Sequence, residues 1–518
     1  MAWLHSWAGL VAGWVLFFIF VTGTLGYFYV EIDRWMRPEL PLAGPVLSQQ
    51  EAAAAADAYL RRTAPDADSW IIRLPNRRDP TMWVAWTEKG NEASERRDYD
   101  VAARRFTAPV QPRETGGGYE LYRMHWQLHY LPKLLGIVIV GICTMAMFVA
   151  LMTGVVAHKK IFADFFTFRP SKGQRSWLDL HNLVSVTALP FFVMITFSGL
   201  VFYPTVYMPA AVHARYGDAY EQLEGDLYPQ FPPPARTGRA EALLPVNQFL
   251  AQAALYWGPG AAAALVIHQP GDAAASVVMG RSGKGMVRRD ADELLTFEGA
   301  SGALIRSSSS LRSAPRAVTS ALYGLHEGVF AGWTLRWLYF TSGLLGCAMI
   351  ATGLILWTVK RRSRHDCGER GRFGFRLVDS LNVGTIAGLP GGIGFYFWAN
   401  RLLPVGLAER AVWEMHCLFM GWGLMLLWAT IRPARKAWVE VLALAGLSFA
   451  ALPLVNALTT SRHLGTTIPA GDWVLASFDL TALGAGLLFL AIAARLHYRA
   501  RVPAKMKGRH PVPPGVCR

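Results

Sequence analysis

Eight stretches of the chain are apolar over about 20 residues, the length a helix needs to cross the hydrocarbon of a bilayer. They lie at 7–30, 134–157, 183–203, 337–358, 381–399, 412–431, 437–457 and 473–494. Lipid offers backbone groups no hydrogen-bond partner, so stretches of this kind cross as helices. With 53% of its 518 residues hydrophobic, the chain is too apolar for an ordinary soluble enzyme of several domains. The expected fold class is an all-α membrane bundle of about eight transmembrane helices with two small periplasmic α+β modules. The first stretch follows Met1 directly but is too long for the apolar core of a secretion signal and has no basic flank, so it is read as a span.

The net charge of +15 is unevenly placed. Segments 158–177, 360–376, 432–436 and 495–518 hold 22 Lys and Arg, whereas the short loops 400–411 and 458–472 hold three. That asymmetry is the positive-inside pattern of a membrane protein and not a nucleic-acid footprint. It places both termini in the cytoplasm of a bacterium, the chain in its inner membrane and the two long loops in the periplasm. The expected order is helix 1 (1–30), a periplasmic module (31–130), helices 2 and 3 (131–203), a second module (204–325) and helix 4 (326–359). A basic cytoplasmic loop (360–380), helices 5 to 8 (381–496) and a basic cytoplasmic tail (497–518) follow.

Each periplasmic segment predicts a helix followed by strands. In the first, Ser48 caps the alanine-rich run 49–60, and Trp70–Leu74 and Thr81–Trp86 alternate as strands do. In the second, a Pro-rich linker at 228–234 precedes a helix at 245–255 and strands at 264–268 and 275–279. None of the five cysteines falls in either segment, and no CxxCH site for covalent haem exists.

Ionisable groups are costly in a bilayer, and imidazoles recur here at the mouths of the spans. His125, His129 and His326 belong to the periplasmic level; His5, His158 and His181 belong to the cytoplasmic level. His129 and His158 lie about 43 Å apart on one helix at 1.5 Å per residue, so they serve separate sites. An imidazole beside tryptophan, as in Trp3-Leu-His5-Ser-Trp7, also suits a headgroup anchor. Two groups at opposite faces, however, match a membrane cytochrome of b type, each haem taking two axial histidines. Gly9, Gly13, Gly136, Gly141, Gly324 and Gly328 lie near these histidines, where they serve either macrocycle clearance or helix contact. Asp479 and Asn456, inside the last spans, are candidates for proton transfer or for helix-to-helix hydrogen bonding. No phosphate-loop, HExxH or GxSxG signature is present, and no cytoplasmic segment is large enough to bind flavin or nicotinamide.

The stretches His5–Trp14, Phe20–Leu25, Gly154–Phe162, Phe166–Pro170, Trp177–Asn182 and Leu325–Gly328 resemble the PepSY-associated transmembrane family, with further likeness at Leu454–Thr459 and Asp479. The resemblance implies periplasmic PepSY modules and, for some members, ferric-siderophore reduction with two b-type haems. Electrons from the quinol pool or a separate cytoplasmic donor would enter near His5, His158 and His181. They would pass to a haem near His129 and His326, with His125 as a further ligand candidate, and reduce ferric siderophore in the periplasm. The chain departs from the family at Phe192, where relatives often carry histidine. PepSY modules also resemble peptidase propeptide inhibitors, so the second reading is a haem-free regulatory or binding protein acting on a periplasmic peptidase or ligand. A third, a siderophore permease, has little polar lining to work with.

Overall fold

The structure, a computed structural model, describes residues 2–501 apart from 43–46, 77, 92, 158–164, 166, 171, 219, 228–231, 282–292, 309–313 and 363–368. His158 and most of the basic tail lie outside the described residues. The chain divides into two compact units, residues 1–364 with 465–476, and 365–464 with 477–518.

In the first unit, α1 (Ala2–Gly26) and α2 (Tyr29–Trp35) lead to α3 (Gln49–Thr63). A capping box starts α3: Glu51 N–H donates to Ser48 Oγ at 3.2 Å, and Ser48 N–H donates to Glu51 Oε2 at 3.0 Å. Strands β1 (Ser69–Arg73), β2 (Trp83–Thr87), β3 (Ser94–Asp100) and β4 (Arg105–Thr107) follow, then α4 (Gly117–Gln127) and the long apolar α5 (Lys133–Ala157).

The order then repeats. A helix pair, α6 (Gln174–Thr187) and α7 (Leu189–Val201), is bent by 68° where Pro190 removes a backbone donor. Short helices between 204 and 227 precede α8 (Val246–Trp257), which ends at Gly258 with φ +82°. Then come β5 (Ala262–His268), β6 (Ser276–Arg281), β7 (Leu294–Glu298), β8 (Leu304–Ser307), α9 (Ala314–Glu327) and α10 (Trp333–Arg362).

The two extramembrane segments, expected as separate modules, form one antiparallel sheet of order β4-β3-β2-β1-β5-β6-β7-β8. Each half is a meander, and β1 pairs with β5 in a register that sets Ile71 opposite Val266. Pairing removes what would be two exposed strand edges. Alternation turns Trp70, Ile72, Leu265 and Ile267 onto one face, where they meet Ala56 and Leu60 of α3 and Phe249 of α8 in a shared core.

The second unit contains α11 (Glu369–Val383), a π-helical turn (Gly384–Gly388) and α12 (Leu389–Leu402). It continues with α13 (Arg410–Ile431), α14 (Ala434–Ala450), α15 (Leu452–Thr459) and α16 (Trp473–Arg501), whose first residues belong to the other unit.

Among the described residues six helical spans are long and apolar enough to cross a membrane, or seven counting the bent pair α6–α7, against about eight expected. The remaining stretch, 381–399, is spread over the end of α11, the π turn and α12, so no single unbroken helix carries it. The protein is a multi-pass membrane protein.

Candidate functional site

Each half of the first unit runs from a helix with a histidine near its start, through a helix and four strands, to a short helix with a second histidine and then a span. The fold brings equivalent histidines together. His5 of α1 and His181 of α6 have ring centroids 6.3 Å apart; His125 of α4 and His326 of α9 have theirs 5.9 Å apart.

All four rings are fixed through Nδ1. That atom donates to Ala150 O at 2.9 Å in His5, to Met349 O at 3.0 Å in His181 and to Ile19 O at 2.8 Å in His125. In His326 it meets Ser198 Oγ at 3.0 Å, whose own hydroxyl donates to Met194 O at 2.6 Å and so is left to accept. A carbonyl can only accept, so Nδ1 carries the proton and Nε2 keeps its lone pair. This is the arrangement in which an imidazole serves as a metal ligand oriented by its second nitrogen.

Every ring also lies against a glycine. A Cβ at Gly23 would sit 2.5 Å from His125 Nδ1, and one at Gly199 3.0 Å from His326 Cε1. At Gly154 it would sit 3.3 Å from His5, and at Gly353 3.2 Å from His181. His5 and Gly23 have the same sequence separation as His181 and Gly199, so the duplication extends to the clearance positions. The glycines noted from sequence serve otherwise: Gly136 abuts the Gln127 backbone, Gly141 the Tyr207 ring and Gly13 the Leu354 side chain.

The two pairs lie at opposite ends of α1: His5 and the Ile19 carbonyl that holds His125 are about 21 Å apart at 1.5 Å per residue. Phe20 and Phe192 meet edge to face at 6.4 Å. Phe192 is fully buried.

A cavity of about 910 Å³ surrounds His125 and His326, lined by aromatics including Tyr27, Trp126, Phe191 and Phe202. Its size is that of a cofactor pocket. Among the described residues no group of three or more His, Cys, Asp or Glu could hold a bare metal ion. Two opposed imidazoles suit a metal whose other positions are filled by a macrocycle. A metal there would be held by one imidazole from each half, with ring centroids 6.3 Å apart in one pair and 5.9 Å in the other. The outer pair, with its cavity, fits a bis-histidine haem, and the inner pair repeats its spacing.

Of the expected ligands, His5, His181, His125 and His326 are brought together. His129 follows the end of α4 and packs against the ring of Tyr130 at 4.2 Å. In the second unit, Asn456 Nδ2 donates to Asp479 Oδ2 at 3.0 Å and Arg401 Nε to Asn456 Oδ1 at 2.9 Å. These bonds tie α12, α15 and α16 together, the helix-to-helix alternative of the two roles weighed for them.

Residues 2–360 match the family described as the PepSY-associated TM region, so the similar segments expected at 454–459 and 479 fall outside the match. An uncharacterized protein of Pseudomonas aeruginosa is 26% identical over 392 residues, covering 72% of this chain and 95% of its own length.

Proposed function

Because the chain belongs to the PepSY-associated transmembrane family, we propose that it is an inner-membrane electron-transfer protein that reduces periplasmic ferric siderophore and releases Fe(II). The observation that carries the reading is the duplicated histidine pair, 6.3 Å and 5.9 Å between ring centroids, at two levels of one helical unit. His5 with His181, and His125 with His326, would each hold one haem b, which when bound supplies a one-electron Fe(III)/Fe(II) couple.

The Nδ1 bonds hold each imidazole in the tautomer that offers Nε2 and raise its basicity. The charge asymmetry of the loops supports a reading with the sheet in the periplasm and the His5 level toward the cytoplasm. One electron per iron comes from quinol or a separate cytoplasmic donor. The Fe(III) chelate is the substrate, and its hard oxygen donors hold Fe(II) less firmly.

The test uses purified full-length protein, reduced without oxygen and mixed with a ferric trihydroxamate chelate and ferrozine. Reoxidation of a b-type spectrum together with an equivalent yield of Fe(II)–ferrozine is expected. A spectrum that stays reduced, with Fe(II) no higher than in a protein-free control, overturns the reading.

A further inference from the structure

The cavity around His125 and His326 also takes in two guanidiniums, Arg78 and Arg336. Arg78 projects from the turn between β1 and β2, where Asn76 Oδ1 accepts from the backbone N–H groups of Arg78 at 2.9 Å and Asp79 at 3.0 Å. Arg336 lies in the first turn of α10. Two cations in a largely aromatic lining require compensation.

Part of that compensation is Glu31 of α2. Its Oε1 accepts from Arg336 Nη1 at 2.7 Å and from Arg78 Nε at 3.1 Å, and its Oε2 accepts from Arg78 Nη2 at 3.0 Å. The two guanidiniums are thus set around one carboxylate, Arg78 bidentate through Nε and Nη2 and Arg336 through a single bond. The other acid in the lining, Glu327, accepts from the Tyr122 hydroxyl at 3.2 Å. Arg78 Nη2 also donates to Tyr27 O and Arg336 Nη2 to Ala331 O, each at 3.2 Å. Among the described residues Arg78 Nη1 and Arg336 Nε donate to no protein acceptor, so each cation keeps a donor in reserve.

The carbonyl of Tyr27 accepts from Arg78, and its hydroxyl donates to the backbone carbonyl of His326 at 3.4 Å. Arg78 is therefore linked through the single residue Tyr27 to the backbone of His326, beside the outer histidine pair.

We propose that Arg78 and Arg336 anchor the propionate carboxylates of a haem held between His125 and His326, with Glu31 holding the two guanidiniums in position. This rests on the haem reading above. It makes the extramembrane sheet, through Arg78, part of the cofactor site.

The test uses full-length protein carrying His5→Ala, so that the outer site alone is read. The haem-depleted chain is loaded with haem b or with haem dimethyl ester, whose carboxylates are blocked, and transfer to apomyoglobin is timed. The parent should release the ester about tenfold faster than haem b, the value of one charged hydrogen bond. Arg78→Gln with Arg336→Gln should release both at the same fast rate. Should Arg336→Gln prevent folding, Arg78→Gln alone carries the test. A parent that releases both forms equally, or an arginine variant that still discriminates like the parent, overturns the proposal while leaving the haem reading intact. A parent that binds neither form overturns both.

Discussion

His125 and His326 stand 5.9 Å apart, ring centroid to ring centroid, although they come from opposite halves of the first unit. Their partners match as well: His125 is held by α1, His326 by α7, and each ring lies on a glycine of the helix that holds it. His5 and His181 repeat the relationship, held by α5 and α10. The two halves thus contribute equivalent residues to two histidine pairs.

The outer pair predicts a contrast between two histidines four residues apart. His125→Ala should remove one of two haems per chain, whereas His129→Ala should leave haem content and spectrum unchanged. Pyridine haemochrome titration of both variants decides it, and equal loss in the two would refute the pairing.

The glycine contacts predict that added bulk displaces the rings. Gly23→Val, at the closest approach, should cost about 1–3 kcal/mol through overpacking and lower outer-site occupancy. Gly9→Val, whose Cβ would meet nothing within 4 Å, should leave occupancy at the parental level. Haem per chain and thermal melting read both effects.

Much of this was legible in the sequence, for reasons that also mark where legibility ends. Long apolar runs give spans because backbone satisfaction in lipid depends only on local helix formation. Two levels of histidine follow from position along those spans. The choice of His125 over His129 does not, because it depends on where α4 ends, and both residues sit near that boundary. The joining of two meanders through β1 and β5 is a long-range pairing with no local signature. The matching separations His5 to Gly23 and His181 to Gly199 were present in the sequence, and aligning the halves would have found the clearance glycines.

Asp272 predicts the acid behaviour of the extramembrane sheet. The backbone N–H of Ala274, against the opposing effect of burial and with the help of Thr237 and Gly238, holds its carboxyl well below the usual carboxylate range. A depressed folded value gives stability that is fully present above the unfolded value of about 3.9 and is lost as pH falls through the folded one. Asp272→Asn should therefore lower melting temperature at pH 7 and flatten its decline below about pH 4. A parallel acid limb in parent and variant would contradict this.

Arg410 and Glu414 predict a large, coupled effect in the second unit. Both are fully buried and paired with each other, and Asn400 Nδ2 donates to Glu414 Oε1 at 2.8 Å. Arg410→Met strands a buried carboxylate and should cost about 3–5 kcal/mol, much of which Arg410→Met with Glu414→Leu should restore. Denaturant unfolding in detergent measures both, and additive losses would refute the coupling.

The most direct measurement is the reduced-minus-oxidised absorption spectrum of the purified full-length protein, expressed with ample haem supply and quantified as pyridine haemochrome. The account predicts a b-type spectrum with two haems per chain, falling to one when His181→Ala breaks the inner pair. A colourless, folded protein would contradict it and leave a haem-free binding or regulatory role for the sheet.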